Sequence, residues 1–150
     1  MCLHSYNNAD RHLGGKLDMD WSEMMSRNET SFWGFIGFKL LTAKEDKVEV
    51  GLVATEQHLN QMGIVHGGVL TAMMDQAMGT LSMLHWQGTP GVTTHIDVNF
   101  LNAMTSGELV ATAHKVHATQ RTLTLRAEIH NEDGILGCIS TATFRMMKNT

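Results

Sequence analysis

From Gly68 to Trp86 the apolar residues recur with a helical period. Val69, Met73, Ala77, Leu81 and Leu84 form one stripe at spacings of three or four, and Leu70, Met74 and Met78 widen it almost all round. A helix apolar on nearly every side is buried on nearly every side. Gly79 inside it lowers helix stability, which predicts close packing against another backbone. The flanking segments carry the period of strands. Val48, Val50 and Leu52 alternate with Glu49, Gly51 and Val53. After the helix, Val92, Thr94, Ile96, Val98 and Phe100 alternate with Thr93, His95, Asp97 and Asn99. Leu109 to Val116 is a further strand, Leu123, Leu125, Ala127 and Ile129 mark another, and Ile135 to Met146 a last one after the hairpin signal Asp133-Gly134. Phe32 to Leu41, apolar and aromatic with two glycines, reads as a kinked strand. The turn Lys44-Glu45-Asp46-Lys47 would join it to the Val48 strand as a hairpin.

The order is therefore hairpin, buried helix, then long strands joined by short turns, which predicts an antiparallel meander. One flat sheet cannot bury a helix on all sides. The sheet must curl around it, or a second subunit must cover it. Residues 1–31 read as an extension in which Asp18 or Asp20 caps a short helix over 20–29, with Gly14-Gly15 as a break. Residues 32–150 read as one domain, with no internal repeat.

Composition narrows the function. Hydrophobic residues make up 43% and charged residues 17% of 150, as in a globular chain. The formal charge of -4, with scattered basic residues, argues against nucleic acid as a partner. The polar N-terminus is not expected to be a signal peptide, and the longest apolar run, Val69 to Leu84, is interrupted by Asp75, Gln76, Thr80 and Ser82. No membrane span is expected. The two cysteines, Cys2 and Cys138, suggest no disulfide framework, and a cytoplasmic location is the expectation. Nine histidines raise the question of metal, but His114 and His117 would point to opposite faces of a strand, and no spacing matches a zinc site.

Two features carry candidate chemistry. Gly67-Gly68 stands where the helix begins, and a helix N-terminus offers unpaired N–H groups and positive partial charge to a developing oxyanion. The same pair also suits a plain loop-to-helix turn. Asp75 is the only acidic residue, lysine or arginine between Glu56 and Asp97, and it lies in the apolar helix. A buried lone carboxylate needs a partner, a raised pKa or a function, so a structural role stays open beside a catalytic one.

The segment Asn60-Gln-Met-Gly63-Ile-Val-His66-Gly67-Gly68, followed by a helical Asp75 nine residues after the His, resembles the phenylacetate-pathway (PaaI-like) branch of hotdog acyl-CoA thioesterases. Gly91-Val-Thr-Thr-His-Ile-Asp-Val-Asn-Phe-Leu, Gly107-Glu-Leu-Val-Ala-Thr-Ala, Arg121 and Asp133-Gly134 extend the likeness over residues 32–146. The resemblance implies an α+β hotdog fold, in which a long curved antiparallel sheet wraps a central helix. It implies Asp75 as general base or nucleophile, the Gly67 N–H as oxyanion hole, Asn60 as a positioning group and Thr93 as an assisting hydroxyl. His66 is a turn-fixing residue or a direct participant, and Gly68 lies in the ligand-binding turn. Arg121, Lys115 and Arg126 are candidates for the CoA phosphates, CoA being part of the substrate rather than a cofactor. Asn102-Ala103 and Gln120 depart from the pattern where acyl-CoA contacts vary. A hotdog hydratase or dehydratase, or a non-catalytic acyl-CoA-binding protein, are the alternatives.

Helix geometry adds an expectation about assembly. Gly67 and Asp75 are eight residues apart, about 12 Å along a helix axis at ~1.5 Å per residue. One chain therefore does not bring them together, and a two-fold dimer with antiparallel helices would. The resemblance implies the same, with dimers often pairing into homotetramers.

Overall fold

The computed structural model describes residues 29–147. Helix α1 (Phe32–Ile36) is followed by strands β1 (Lys39–Ala43) and β2 (Lys47–Ala54), a 3-10 turn (Glu56–His58) and helix α2 (Gly67–His85). Strands β3 (Gly91–Phe100), β4 (Gly107–Ala118), β5 (Thr122–Asn131) and β6 (Leu136–Met146) complete the order. The six strands form one antiparallel sheet, ordered β1-β2-β4-β5-β6-β3, with α2 packed on its inner face. This is the hotdog arrangement. The helix expected over 20–29 falls, but for its last residue, outside the described residues.

Two elements differ from expectation. Phe32–Ile36 is helical rather than extended, and Gly37 ends the helix with a left-handed backbone (φ 90°) that turns the chain towards the sheet. The N–H groups of Gly37 and Phe38 both donate to the Trp33 carbonyl, and the strand begins only at Lys39. The meander has three strands, not four. β4, β5 and β6 follow one another, whereas β3 pairs only with β6 and forms the sheet edge. The crossing from β3 to β4 covers three strand spacings, ~14 Å. Residues 101–106 can reach ~20 Å when extended. Leu101 and Asn102 anchor that crossing by donating their N–H groups to the Gly137 carbonyl.

The core follows the alternation of the strands. Val48, Val50 and Leu52, Leu109, Ala111 and Ala113, and Leu123, Leu125, Ala127 and Ile129 are all buried beneath Met73, Met74, Ala77, Met78 and Leu81. Each fully buried valine, leucine, isoleucine or methionine among them contributes ~1.5–3 kcal/mol. Gly79 does not approach another backbone as expected; its nearest neighbour is the Phe144 ring, 3.7 Å from where a Cβ would stand. Nor does one chain bury α2 on every side. Gly68 is exposed and Ala72, Asp75, Gln76 and Gly79 are only half-buried, which leaves an open stripe beside edge strand β3.

Two β-bulges overturn the simple period. In β3, Thr93 pairs with Phe144 and His95 with Thr143, so Thr94 is the extra residue and Thr93 joins the inward set of Ile96 and Val98. In β4, His114 pairs with Arg126 and His117 with Thr124, so Val116 is extra. His114 and His117 consequently share the outer face of the sheet instead of taking opposite faces. No group of three or more potential metal ligands occurs among the described residues.

Candidate functional site

The loop before α2 is built by its own polar groups. Asn60 Oδ1 accepts from the Met62 N–H at 2.9 Å and the Ile64 N–H at 3.4 Å, and Gly63 takes the positive φ of 75° that closes the turn. The Asn60 side-chain oxygen thus shapes the loop, leaving its amide N–H₂ as the group still available to a ligand. His58 anchors the loop from below. Its Nε2 donates to the Ile36 carbonyl at 2.8 Å, and its Nδ1 accepts from the Thr55 N–H at 2.9 Å. Only 4% exposed, it ties α1 to the loop, a role no sequence motif announced.

His66 is the N-cap of α2. Its Nδ1 accepts the Gly68 N–H at 2.8 Å, and its carbonyl accepts from Val69 and Leu70. The turn-fixing role therefore accounts for this histidine. Among the four N–H groups that open the helix, that of Gly67 alone finds no acceptor among the described residues. The Phe100 ring lies over Gly67, with Cζ 3.1 Å from the position a Cβ would take.

Two turns further on, Asp75 Oδ1 accepts a 2.7 Å hydrogen bond from the Thr93 hydroxyl. The β3 bulge makes this contact possible, since an unbroken alternation would turn Thr93 to the outer face. Asp75 is half-buried in the single chain rather than sealed in the core. One carboxylate oxygen is oriented and the other remains open, an arrangement able to take a proton from water or to attack a carbonyl. Strand β3 thus runs beside α2 from Thr93 at Asp75 to Phe100 at Gly67, so both chemical features lie along the seam between β3 and α2.

The basic candidates do not gather at Asp75. Arg126 points from the outer face, where it shares a shallow surface hollow with Lys115, His114 and Asp46 at the β4 bulge. A second concavity of about 160 Å³ lies among residues of β3, β4, β5 and β6, lined by Asn99, Thr112, His114, Arg126, Ala127, Glu128, Ile139, Ser140 and Thr141. Arg121 sits in the β4–β5 turn, where its carbonyl accepts from Met146. His85, in the last turn of α2, has its pKa lowered by burial and by the nearby charge of Lys115. Burial raises the Cys138 thiol to about 11, so it stays a protonated core group.

The chain belongs to the thioesterase superfamily, whose family model matches residues 62–138. A putative esterase of Deinococcus radiodurans is 32% identical over 69% of this chain and 70% of its own length. Acyl-coenzyme A thioesterase 13 of Mus musculus is 30% identical over 50% of this chain and 54% of its own length. The PaaI protein of the E. coli phenylacetic acid degradation operon has the same fold, with a TM-score of 0.78 and 23% identity over 87% of this chain and 94% of that one. The family is one of thioester hydrolases. No described helix is long and apolar enough to cross a membrane.

Proposed function

We propose that this member of the thioesterase superfamily hydrolyses an acyl-CoA to a carboxylic acid and free CoA, at a site shared between two copies of the chain. The observation that carries this reading is the unpaired Gly67 N–H at the start of α2, on the same helix and beside the same edge strand as a carboxylate oriented by Thr93. In the proposed mechanism the Gly67 N–H holds the thioester oxygen as negative charge develops there. Asp75 removes a proton from the attacking water. The tetrahedral intermediate then collapses, the C–S bond breaks, and the CoA thiolate takes up a proton as it leaves. If Asp75 attacks directly instead, the C–S bond breaks as CoA thiolate leaves and a mixed anhydride forms, which water hydrolyses to the carboxylic acid and free Asp75. Asn60 would orient the carbonyl or water through its amide, with His66 and Gly68 keeping the turn in shape. Arg121, Lys115 and Arg126 are the groups proposed for the CoA phosphates.

A second copy resolves the ~12 Å separation of Gly67 and Asp75 along one helix. Edge strand β3 and the open stripe of α2 support an isologous two-fold contact in which each Asp75 faces the other chain's Gly67. It would cover the half-buried groups that one sheet leaves open, and pairing of dimers into tetramers is compatible with it. A cytoplasmic setting is proposed with it, since two cysteines suggest no disulfide framework.

The test is a panel of acyl-CoAs incubated with a thiol reagent, in which free CoA appears only on hydrolysis. Hydration of an enoyl thioester without thiol release would replace this reading with the hydratase one, and saturable binding without turnover would replace it with a sensor. For the shared site, Asp75→Asn and Gly67→Val chains are mixed and allowed to exchange. A mixed dimer then contains one doubly damaged and one intact site, so activity should recover towards half of wild type per mixed dimer. Verified heterodimers that stay inactive, or an active monomer, overturn the shared site.

A further inference from the structure

Three buried polar side chains lie in the described core: His58, Ser82 and Ser140. His58 is bonded through both ring nitrogens, and the Ser82 hydroxyl donates to the Gly79 carbonyl at 2.8 Å. The Ser140 hydroxyl has no partner among the described residues, although the residue is only 4% exposed. Such groups are rare in native cores and call for a function or a missing ligand. The other orphan, the Trp86 indole N–H, lies at the far end of α2 against Gly91, away from Gly67.

Ser140 lies on the inner face of β6, among apolar neighbours. Cys138 and Ala142 flank it along the strand, and Ala127 and Val98 face it across β5 and β3. Val98 belongs to edge strand β3, so the hydroxyl lies one strand in from the seam between β3 and α2. Its height on the helix is bracketed by two contacts of β6: Cys138 Sγ reaches Met74 Sδ at 3.9 Å, and the Phe144 ring lies 3.7 Å from the Cβ position of Gly79. That segment of α2 includes Asp75. Thr93, the hydroxyl on Asp75, pairs with Phe144, four residues along β6 from Ser140, or ~13 Å at ~3.3 Å per residue. The core between them is adaptable. Ala113, Ala127 and Ser140 make a row of small side chains across three strands, and flexible methionines fill the space above it.

We propose that Ser140 is a specificity-determining residue, whose hydroxyl binds an oxygen-bearing group at the far end of an acyl chain lying between α2 and the β3–β6 strip. The inference rests on the acyl-CoA reading of the site and names the substrate class within it: medium-length acyl thioesters with a hydroxyl at the distal end. The unpaired hydroxyl in an apolar wall would then be satisfied only when the matching acyl group is bound.

The experiment uses the full-length protein, wild type and Ser140→Ala, with hexanoyl-, octanoyl- and decanoyl-CoA and their ω-hydroxy counterparts. Wild type should show a higher kcat/KM for at least one ω-hydroxyacyl-CoA than for its parent. Ser140→Ala should lose about tenfold on that substrate while the parent is unchanged, the size expected for one neutral hydrogen bond. The loss should fall mainly on KM, since the contact is remote from the reacting carbon. A general packing defect would instead lower both substrates together. If wild type hydrolyses the parents but never prefers a hydroxylated chain, or if Ser140→Ala keeps the wild-type preference, the Ser140 proposal is overturned and the thioesterase reading stands. Should wild type release CoA from none of the six while other members of the acyl-CoA panel are hydrolysed, the Ser140 proposal alone falls; if nothing on the panel is hydrolysed, the functional reading fails as well. Should Ser140→Ala not fold, Ser140→Gly takes its place, with the same loss of preference expected and a retained preference overturning the proposal.

Discussion

Replacing Asp75 by Asn removes the proton acceptor while keeping the shape of the side chain. In the structure Asp75 is half-buried on the open stripe of α2, and its one described contact is the 2.7 Å hydrogen bond from Thr93. An amide oxygen can still accept that bond, so the stability change should stay within ~1 kcal/mol. The loss of a general base is far larger, ~10²–10⁴-fold in rate. At ~1.36 kcal/mol per tenfold this corresponds to ~2.7–5.4 kcal/mol of transition-state stabilisation. The two effects are thus separable. Turnover is measured as CoA release under saturating acyl-CoA, and stability as the urea midpoint of the same preparation. A companion variant, Thr93→Val, keeps the carboxylate but frees it to rotate. Because the bond is exposed and water can replace it, a loss of only ~3–10-fold is expected, with Thr93→Ser near wild type. An Asp75→Asn enzyme that keeps kcat within a few-fold of wild type would refute the assignment. A large drop in urea midpoint alongside the lost activity would show that the carboxylate holds the fold instead.

Further outcomes follow from single contacts. Gly67→Val places side-chain atoms where the Phe100 Cζ already lies 3.1 Å from the Cβ position, so kcat/KM should fall sharply with unchanged circular dichroism, and normal kinetics would remove the oxyanion-hole assignment. His58→Ala deletes two hydrogen bonds at a site 4% exposed and should cost ~2–5 kcal/mol in chemical denaturation; a cost below ~1 kcal/mol would mean that the loop does not depend on it. Burial pushes the Glu49 carboxyl up, but the Thr42 hydroxyl and Lys47 outweigh it and hold the pKa below 4.5. This carboxylate therefore adds stability above pH 4.5 that is lost as pH falls through the lowered value. Glu49→Gln should make the acid limb of a stability–pH curve shallower, and an identical acid limb would count against the pairing.

Much of this fold was legible in residue order alone. The helical period from Gly68 to Trp86 and the alternation of Val48–Val50–Leu52 and Leu123–Leu125–Ala127–Ile129 depend on local geometry and on burial of one face, and both are written into spacing. The turn at Asp133-Gly134 was equally local, since a positive φ (77° at Gly134) suits glycine. The candidate site from Asn60 to Asp75 was legible as a resemblance to a thioesterase motif, beside a helix start and a lone carboxylate that residue order itself shows. Tertiary structure decided the rest. Strand order depends on which edges remain unpaired, so nothing in β3 itself shows that it pairs with β6 at the far edge. A bulge depends on the partner strand's register, so no period-two reading turns Thr93 towards Asp75 or sets His114 and His117 on one face. Whether a polar atom is satisfied depends on neighbours distant in the chain: the same residue type is bonded at Ser82 and orphaned at Ser140. The sequence named the candidate residues, and the packing of a curved sheet on one helix determined which of them meet.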